Sequence, residues 1–324
     1  MRHFLEVDDL DAGELAAVLD LSEEPSSPPV LAGTGVALLF EKPSTRTRVS
    51  MEMAVVQLGG HPITIRPDEV GLDTREPTED VGRVLSRYCA AIGARVFDHS
   101  TVERLAGAAS VPVVNLLSDR SHPCQALADL LTLRRHWGSL DGRTLAWVGD
   151  GNNVCRSLLL AGAMVGMTLR VAAPPGYEPD PDVVRSTGAV VTADPDQTVA
   201  GADVVSTDVW ASMGQEEEAA ERRVAFAGFT VDDRLMSLAG PDAVFLHCLP
   251  AHRGEEVTAS VLDGPASLVW EQAANRIHAQ RGLLRWLLGG HSGGPAKAGN
   301  RAGGAGGPRP ERQAWSEGPG CPPP

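Results

Sequence analysis

The sequence predicts an α/β protein of two doubly wound parallel-sheet domains, with an active-site cleft between them and a disordered C-terminal tail. Three observations lead to this fold class. Apolar, β-rich runs alternate with segments of helical period, which is the pattern of parallel strands covered by helices on both faces. The alternation starts afresh after a turn-rich break at residues 138–142. Beyond residue 288, large apolar side chains are almost absent.

The first predicted domain covers residues 1–136. It opens with a short helix at residues 11–21 and a Pro/Ser-rich linker at residues 25–29. Hydrophobic patterning then alternates strand and helix four times. The predicted strands are residues 36–40, 62–65, 91–97 and 111–116, and the predicted helices are residues 45–58, 78–88, 102–109 and 124–136.

The second predicted domain covers residues 137–270. A final amphipathic helix at residues 271–288 is expected to return to the first domain. Ligands of open α/β sheets bind beyond the carboxyl ends of the strands, so we expect the functional residues in a cleft at those ends. The predicted strands are residues 144–148, 168–172, 189–192, 203–207 and 243–247, with helices between them that include one ending near residue 164, one starting at residue 182 and an acidic one starting at residue 215.

The composition excludes several classes of protein. Residues 289–324 hold 11 Gly and 7 Pro and bury too little surface to offset their ordering entropy, so they are predicted to be a disordered tail. The net charge of −14 argues against nucleic acid as a partner. The longest uncharged apolar stretch, residues 157–169, is too short to cross a membrane. Five scattered cysteines without a C-x-x-C pair and a start unlike a signal peptide favour a cytoplasmic location.

A candidate anion site lies in Ser44-Thr45-Arg46-Thr47-Arg48, which follows a predicted strand and opens a helix. Hydroxyls, free backbone N–H groups and guanidinium groups would gather at the positive end of the helix dipole. The alternative is an ordinary Ser/Thr cap with two solvated arginines. The two arginines and the preceding Pro43 favour a phosphate ligand.

A second candidate is His122-Pro123-Cys124-Gln125, which also follows a strand and opens a helix. Its imidazole and amide would hydrogen-bond a carbonyl oxygen and an amine. Taken alone, the motif favours a His-Pro helix start that has no chemical role.

The second domain contributes two strand ends. His247-Cys248-Leu249-Pro250 would bring Cys248 and the Leu249 carbonyl to the crevice, although a lone Cys is more often an inert buried side chain. Asp208 precedes a Ser212-Met213-Gly214 loop that could hold an amino acid and close over it. The alternative there is a capping Asp followed by a surface loop.

Gly149-Asp150-Gly151-Asn152-Asn153-Val154 raises the possibility of dinucleotide binding. Val154 occupies the place of the third glycine of that fingerprint, so NAD and FAD are disfavoured and no cofactor is expected. The asparagines could instead bind a substrate carboxylate. The nine histidines show no metal-binding spacing, and there is no G-x-S-x-G elbow.

Together, the Ser-Thr-Arg-Thr-Arg, His-Pro-x-Gln, Asp-x-x-x-Ser-Met-Gly and His-Cys-Leu-Pro motifs resemble those of the ornithine carbamoyltransferase family, over residues 2–288 and in the family's order. The resemblance implies two substrates, carbamoyl phosphate and L-ornithine, with Arg46, His122, Asp208 and Cys248 in catalytic roles. It implies that carbamoyl phosphate is held by Ser44, Thr45, Arg46, Thr47, Arg95, His122, Pro123, Cys124, Gln125 and Arg276, and ornithine by Asn153, Asp208, Ser212 and Met213, with Cys248 and Leu249 between them.

The resemblance further implies direct attack of the ornithine δ-amine on the carbamoyl carbon, with no covalent enzyme intermediate, in a homotrimer or a multiple of trimers. One departure is Gly71, which stands where the family commonly has a glutamine that reaches a neighbouring subunit. Two alternatives remain open. One is a carbamoyltransferase for another amine such as putrescine, and the other is a non-catalytic relative that binds carbamoyl phosphate.

Overall fold

The structure, a computed structural model, describes residues 1–211 and 218–289. It contains two parallel β-sheets, each with helices on both faces, which confirms the predicted fold class. The predicted tail at residues 289–324 lies, apart from Gly289, outside the described residues. Within the described part of the chain, no helix is long and apolar enough to cross a membrane.

The first sheet has four parallel strands in the order β2-β1-β3-β4. A 3₁₀ turn at Val7–Asp9 and helix α1 (Ala12–Glu23) precede it. Its strands are β1 (Gly35–Phe40), β2 (His61–Ile65), β3 (Cys89–Arg95) and β4 (Val113–Leu117), and its helices are α2 (Thr45–Gln57), α3 (Pro67–Val70), α4 (Thr78–Tyr88), α5 (His99–Ala108) and α6 (Pro123–Trp137).

The second sheet has five parallel strands in the order β7-β6-β5-β8-β9. Its strands are β5 (Thr144–Val148), β6 (Thr168–Ala172), β7 (Val190–Thr192), β8 (Val204–Thr207) and β9 (Val244–His247). Its helices are α7 (Asn153–Met164), α8 (Pro181–Thr187), α9 (Pro195–Val199), α10 (Ala219–Ala225), α11 (Asp233–Met236) and α12 (Ala259–Leu262), and α13 (Val269–Leu288) follows them. The acidic helix predicted from residue 215 is described only from Ala219 onward.

The strand orders explain where the predicted motifs lie. In the first sheet the chain reverses its direction of growth between β1 and β3, and in the second between β5 and β8. Such switch points open a crevice at the carboxyl ends of the strands. The segment at residues 41–48 leaves β1 and Arg95 ends β3, while residues 149–153 leave β5 and Asp208 follows β8.

Helix α13 packs against α1, α2 and α6 of the first half of the chain. Its approach to α1 is close enough that a Cβ atom at Gly282 would lie 2.7 Å from the Val18 carbonyl oxygen and 2.8 Å from the Ser22 nitrogen. A glycine at this position therefore lets the two helix backbones meet. The chain thus carries residues of α13 back beside the first sheet, whereas the predicted boundaries at residues 136 and 270 remain predictions.

Candidate active site

The start of α2 supplies a cluster of hydroxyl groups. Ser44 caps the helix: its Oγ accepts a hydrogen bond from the Thr47 N–H at 3.3 Å and donates to Thr47 Oγ1 at 3.1 Å. Arg48 does not belong to this cluster, because its guanidinium pairs with Glu52 at 2.8 Å on the outer face of the helix. Only Arg46 of the two arginines in the motif is therefore available to an anion at this helix end.

Two further guanidinium groups converge on Thr47 from distant parts of the chain. Arg95 Nη1 is 3.3 Å from Thr47 Oγ1, and Arg276 Nη2 is 3.4 Å from the same oxygen. The two arginines are 6 % and 3 % exposed. Among the described residues, no carboxylate lies within 4.0 Å of either guanidinium, so the cluster carries buried positive charge without a direct ion pair.

The electrostatics of this cluster favour an anion. Burial and the nearby charges of Arg276 and Arg46 lower the pKa of Arg95 to about 10. Burial likewise lowers the pKa of Arg276. The Nε atoms of both arginines are buried without a protein partner. A buried charge is costly unless it is paired, and a phosphate group would supply both the opposite charge and the missing acceptors.

His122 lies beside this cluster at the start of α6. Its Nε2 is 3.4 Å from Arg276 Nη1, and its Nδ1 is buried without a partner. Burial, reinforced by Arg276, Arg95 and Arg46, holds the pKa of the imidazole well below its usual range. His122 is therefore neutral at physiological pH and can donate one N–H to a carbonyl oxygen.

Gln125 extends the same polar network one helical turn further along. Its Nε2 donates to Asp129 Oδ1 at 2.8 Å, and its Oε1 accepts from Arg276 Nη1. The side chains of Pro123 and Cys124 are buried at the same helix start. Cys124 donates to the Asn115 carbonyl at 3.4 Å within the core, and burial raises the pKa of its thiol to about 12. A substrate role for Cys124 remains a prediction. Because its side chain lies in the core, only its backbone could contact a substrate without a rearrangement of the helix start.

The second sheet brings a carboxylate and a thiol together. Asp208 Oδ2 accepts from Asn152 Nδ2 at 2.9 Å, while the Cys248 thiol donates to Asp208 Oδ1 at 3.1 Å. Burial and Asp208 raise the pKa of Cys248 well above its usual range. Asn153 donates to the Ser118 carbonyl at 2.7 Å, so its amide bridges toward the first half of the chain. Cys248 is thus a neutral thiol held by a carboxylate.

A buried His–Glu pair fixes the loop that carries Cys248 and Leu249. His247 Nδ1 accepts the Leu249 N–H at 2.9 Å, and His247 Nε2 lies 3.2 Å from Glu256 Oε1. Leu249 has φ 59°, a left-handed conformation that costs a non-glycine residue about 1 kcal/mol. Ligand-type atoms of Asp208, His247 and Cys248 lie within 4.8 Å of one another. Both His247 nitrogens are engaged elsewhere, which argues against a metal at that point.

The loop at residues 149–154, which resembles a dinucleotide fingerprint, packs against another segment of the chain. A Cβ atom at Gly151 would lie 2.2 Å from the Pro179 nitrogen, and the Gly151 N–H donates to the Tyr177 carbonyl at 2.8 Å. Asp150 pairs with Arg222 at 2.8 Å. The glycine therefore allows close approach of another part of the same chain, where a dinucleotide site would need space for a pyrophosphate.

The structure thus brings together most of the predicted residues in two adjoining groups. The cationic group consists of Ser44, Thr47, Arg95, His122, Gln125 and Arg276, and the second group consists of Asp208, Cys248 and the adjacent Leu249. The Asn153 amide instead donates to the Ser118 carbonyl. Arg46 is exposed but close enough to lower the pKa values of Arg95, His122 and Arg276, whereas Thr45 is exposed at the helix start. The predicted contacts Ser212 and Met213 lie outside the described residues.

Two family models cover nearly all of this structure. Residues 2–135 match the carbamoyl-P binding domain of aspartate/ornithine carbamoyltransferases, and residues 141–287 match their Asp/Orn binding domain. The chain belongs to the aspartate/ornithine carbamoyltransferase family.

Individual members of this carbamoyltransferase family are closely similar to the chain. The ornithine carbamoyltransferase of Acidothermus cellulolyticus is 55 % identical over 304 residues, covering 89 % of this chain and 97 % of the relative. The solved ornithine carbamoyltransferase of Pyrococcus furiosus superposes with a TM-score of 0.85 at 47 % identity, covering 89 % and 97 % of the two chains. That of Thermus thermophilus superposes with a TM-score of 0.84 at 48 % identity, covering 89 % and 99 %.

Sequence reasoning missed several residues that hold this carbamoyltransferase site together. Asp129 and Gln272 join α6 to α13, and Asn152 holds Asp208. Ser157 accepts the His122 N–H at 2.9 Å and donates to the buried Glu6 at 2.8 Å. Asn152 is recognisable from the sequence as an Asn at a helix start. The hydrogen bonds of Asp129, Gln272 and Ser157 named here join residues more than 30 positions apart, so no short sequence pattern predicts them.

Proposed function

We propose that this protein transfers the carbamoyl group of carbamoyl phosphate to the δ-amine of L-ornithine, giving L-citrulline and phosphate. The observation that carries the proposal is the buried, unpaired cationic group formed by Arg95 and Arg276 at the capped start of α2, beside a neutral imidazole. Relatives at 48–55 % identity that bear the name ornithine carbamoyltransferase support the same substrates.

In this mechanism, the phosphate end binds at the start of α2. Ser44, Thr45 and Thr47 offer hydroxyl and backbone donors there, and Arg46, Arg95 and Arg276 neutralise the dianion. The guanidinium groups of Arg95 and Arg276 act most strongly, because both are buried and water does not screen them. They also stabilise the leaving phosphate as it gains charge.

The carbamoyl end lies between His122 and Gln125. His122 and Arg46 donate to the carbonyl oxygen, which becomes an oxyanion when the neutral δ-amine attacks the carbon. The new N–C bond forms as the C–O bond to phosphate breaks, and the amine proton leaves with phosphate or solvent. Orienting the two substrates and stabilising this oxyanion supply the acceleration, so no side chain needs to become acylated.

The ornithine end is assigned to the second group of residues. Asp208 is a buried acceptor suited to the α-ammonium group, and Asn153, Ser212 and Met213 are proposed to hold the amino acid. Cys248 and the Leu249 carbonyl lie between the substrates and can align the δ-amine. Closure over the substrates would exclude water, which competes with the amine for the carbamoyl group.

We also propose a homotrimer of a cytoplasmic enzyme. Val49, Met53 and Val56 form an apolar stripe along α2 that is 40–50 % exposed. A second copy of the chain would cover it. Free thiols at Cys89, Cys124, Cys155 and Cys248 support the reducing location.

A panel of acceptors tests the assignment. With carbamoyl phosphate fixed, ornithine is expected to give citrulline much faster than putrescine, aspartate or an N-acylated ornithine gives its product. Faster turnover with putrescine would contradict the proposal. The variants Arg46→Ala and His122→Ala should lose at least a hundredfold in kcat. Arg48→Ala is the matched control from the same motif, because Arg48 pairs with Glu52 outside the cluster.

A further inference from the structure

Asp129 is a buried carboxylate at the junction of the two groups of site residues. It lies on α6, is 1 % exposed, and uses a single oxygen, Oδ1, to accept two hydrogen bonds. One comes from Gln125 Nε2 at 2.8 Å within the same helix, and the other from Gln272 Nε2 on α13 at 2.7 Å. Two primary amides from two helices thus share one acceptor.

This sharing determines which way each amide faces. A carboxylate oxygen accepts and cannot donate, so both glutamines must present their NH₂ groups to Asp129. Their carbonyl oxygens therefore point away from it. Gln125 Oε1 meets the Arg276 guanidinium, and Gln272 Oε1 accepts the backbone N–H of His247 at 3.0 Å, one residue before Cys248.

We propose that Asp129 is a positioning residue that fixes the Gln125 amide as an acceptor for the amino group of the carbamoyl moiety and, through Gln272, fixes the backbone that carries Cys248. The proposal rests on the proposed function for the identity of the substrate. The amide orientations themselves do not depend on it.

The chemistry of the partners makes the orientation decisive. A Gln125 amide turned by 180° would present NH₂ to the Arg276 guanidinium, which has only donors, and to the carbamoyl NH₂ group as well. Both contacts would place donor against donor. Hydrogen bonds to charged groups such as Arg276 are the stronger ones, so loss of the orientation should cost about ten- to a hundredfold in kcat/KM for carbamoyl phosphate.

Three α6 variants separate orientation from general destabilisation. Asp129→Leu removes the acceptor at similar volume, whereas Asp129→Asn retains one acceptor oxygen without the charge. Thr132→Val is the control, because Thr132 is a buried, hydrogen-bonded residue one turn further along α6 that faces Asn275. We expect Asp129→Leu to lose ten- to a hundredfold in kcat/KM for carbamoyl phosphate, Asp129→Asn to stay within about threefold of wild type, and Thr132→Val to stay within about twofold.

A fourth variant tests the connection from Asp129 through Gln272 to His247 and needs no change at Asp129. Gln272→Leu removes both the Asp129 and the His247 hydrogen bonds of Gln272 and leaves the hydrogen bond from Gln125 to Asp129 in place. KM for ornithine should therefore rise about five- to tenfold while KM for carbamoyl phosphate stays within about twofold. An equal rise in both KM values would contradict the proposal. This variant also decides the matter if Asp129→Leu does not fold.

Crystal structures of the variants give a readout that is independent of turnover. The Gln125 side chain should lose its single orientation in Asp129→Leu and keep the orientation of wild type in Asp129→Asn and Thr132→Val. An unmoved Gln125 in Asp129→Leu, or kcat/KM within twofold of wild type, would overturn the proposal. If wild type makes no citrulline, the proposed function fails, and these structures still test the role of Asp129.

Discussion

Cys248 shows how a reactive residue type can be held in an unreactive state. Its thiol donates to Asp208 at 3.1 Å, and both burial and that carboxylate raise the pKa of the thiol well above its usual range. The thiolate, not the thiol, is the nucleophile. At neutral pH, Cys248 is therefore a hydrogen-bond donor to Asp208 and not a site of acyl transfer.

This state predicts slow alkylation and a modest mutational effect. At pH 7.5, iodoacetamide should modify Cys248 much more slowly than a free cysteine, as measured by peptide mass spectrometry. Cys248→Ser keeps a donor to Asp208, so kcat should fall less than about tenfold. A loss of several thousandfold would instead indicate covalent catalysis through Cys248.

Glu6 is a buried carboxyl group whose titration should affect stability. Burial raises its pKa to about 7, although Val7 N–H, Ser157 and Arg156 partly oppose that rise and Asp8 adds to it. Because the folded-state pKa is raised above its ordinary value of 4.5, the folded state favours protonated Glu6. The stabilisation is complete below pH 4.5 and is lost as pH rises through 7.

The variant Glu6→Gln should remove this dependence. Relative to wild type, its free energy of unfolding should increase by on the order of 3 kcal/mol between pH 4.5 and pH 8.5, since Gln carries no titrating proton. Urea unfolding of both proteins across this range measures the difference. A difference that stays constant with pH would contradict the prediction.

At the residue scale, sequence reasoning succeeded where chemistry and helix starts coincide. Ser44 and His122 were identifiable because each follows a strand and opens a helix. The sequence analysis counted both Arg46 and Arg48 toward the anion site, although residues two apart on a helix lie about 200° apart around its axis and cannot face the same ligand. By contrast, Asp129 and Gln272 are 143 residues apart, and no local pattern predicts that they meet.

At the scale of elements, the packing of α13 on α1 depends on Gly282. In an ordinary helix, replacing Gly by Ala stabilises by up to about 1 kcal/mol. Here the added Cβ would lie 2.7 and 2.8 Å from backbone atoms of α1, which cannot move aside as a side-chain tip can. Steric overlap should therefore outweigh the gain in helix propensity.

We expect Gly282→Ala to lower the free energy of unfolding by about 1–3 kcal/mol, as over-packed core sites do. Gly107→Ala is the matched control, because Gly107 also lies within a helix and has nothing within 4 Å of an added Cβ. It should be neutral or stabilising. Thermal unfolding of the two variants compares them, and equal melting temperatures would argue against the close approach.

The strands and long helices were predictable because their periodicity extends over several residues. Strands β5 and β6 and helix α4 have the predicted bounds, and the other predicted strands differ by one or two residues at one or both ends. The single-turn helices α3, α11 and α12 were not predicted. One turn of helix is too short to show a 3.6-residue period, and tertiary contacts decide its conformation.

At the scale of the whole molecule, the exposed stripe on α2 predicts an interface. Met53→Glu would place a charge in the middle of the stripe and should dissociate the proposed trimer into monomers, because burying an unpaired carboxylate is costly. Light scattering after size-exclusion chromatography measures the mass. Val224→Glu on α10 is a control at an exposed valine away from the stripe, and an unchanged mass for Met53→Glu would contradict the assignment.

The overall architecture was the most predictable level, because alternating strands and helices allow few topologies. The strand order within each sheet was not predicted in detail. Nor did the pattern show how residues 269–288 connect Arg276 to Thr47, a contact between positions 229 residues apart. Such long-range contacts arise from packing of the complete chain.

The placement of Arg276 on α13 has a consequence for synthesis on the ribosome. Thr47, Arg95 and His122 leave the ribosome long before Arg276, so a nascent chain can form the first sheet while the proposed anion site still lacks one of its cations. Until α13 emerges and packs, α1, α2 and α6 also lack their cover. Under the proposed function, competence to bind carbamoyl phosphate is therefore acquired late in translation, when α13 packs.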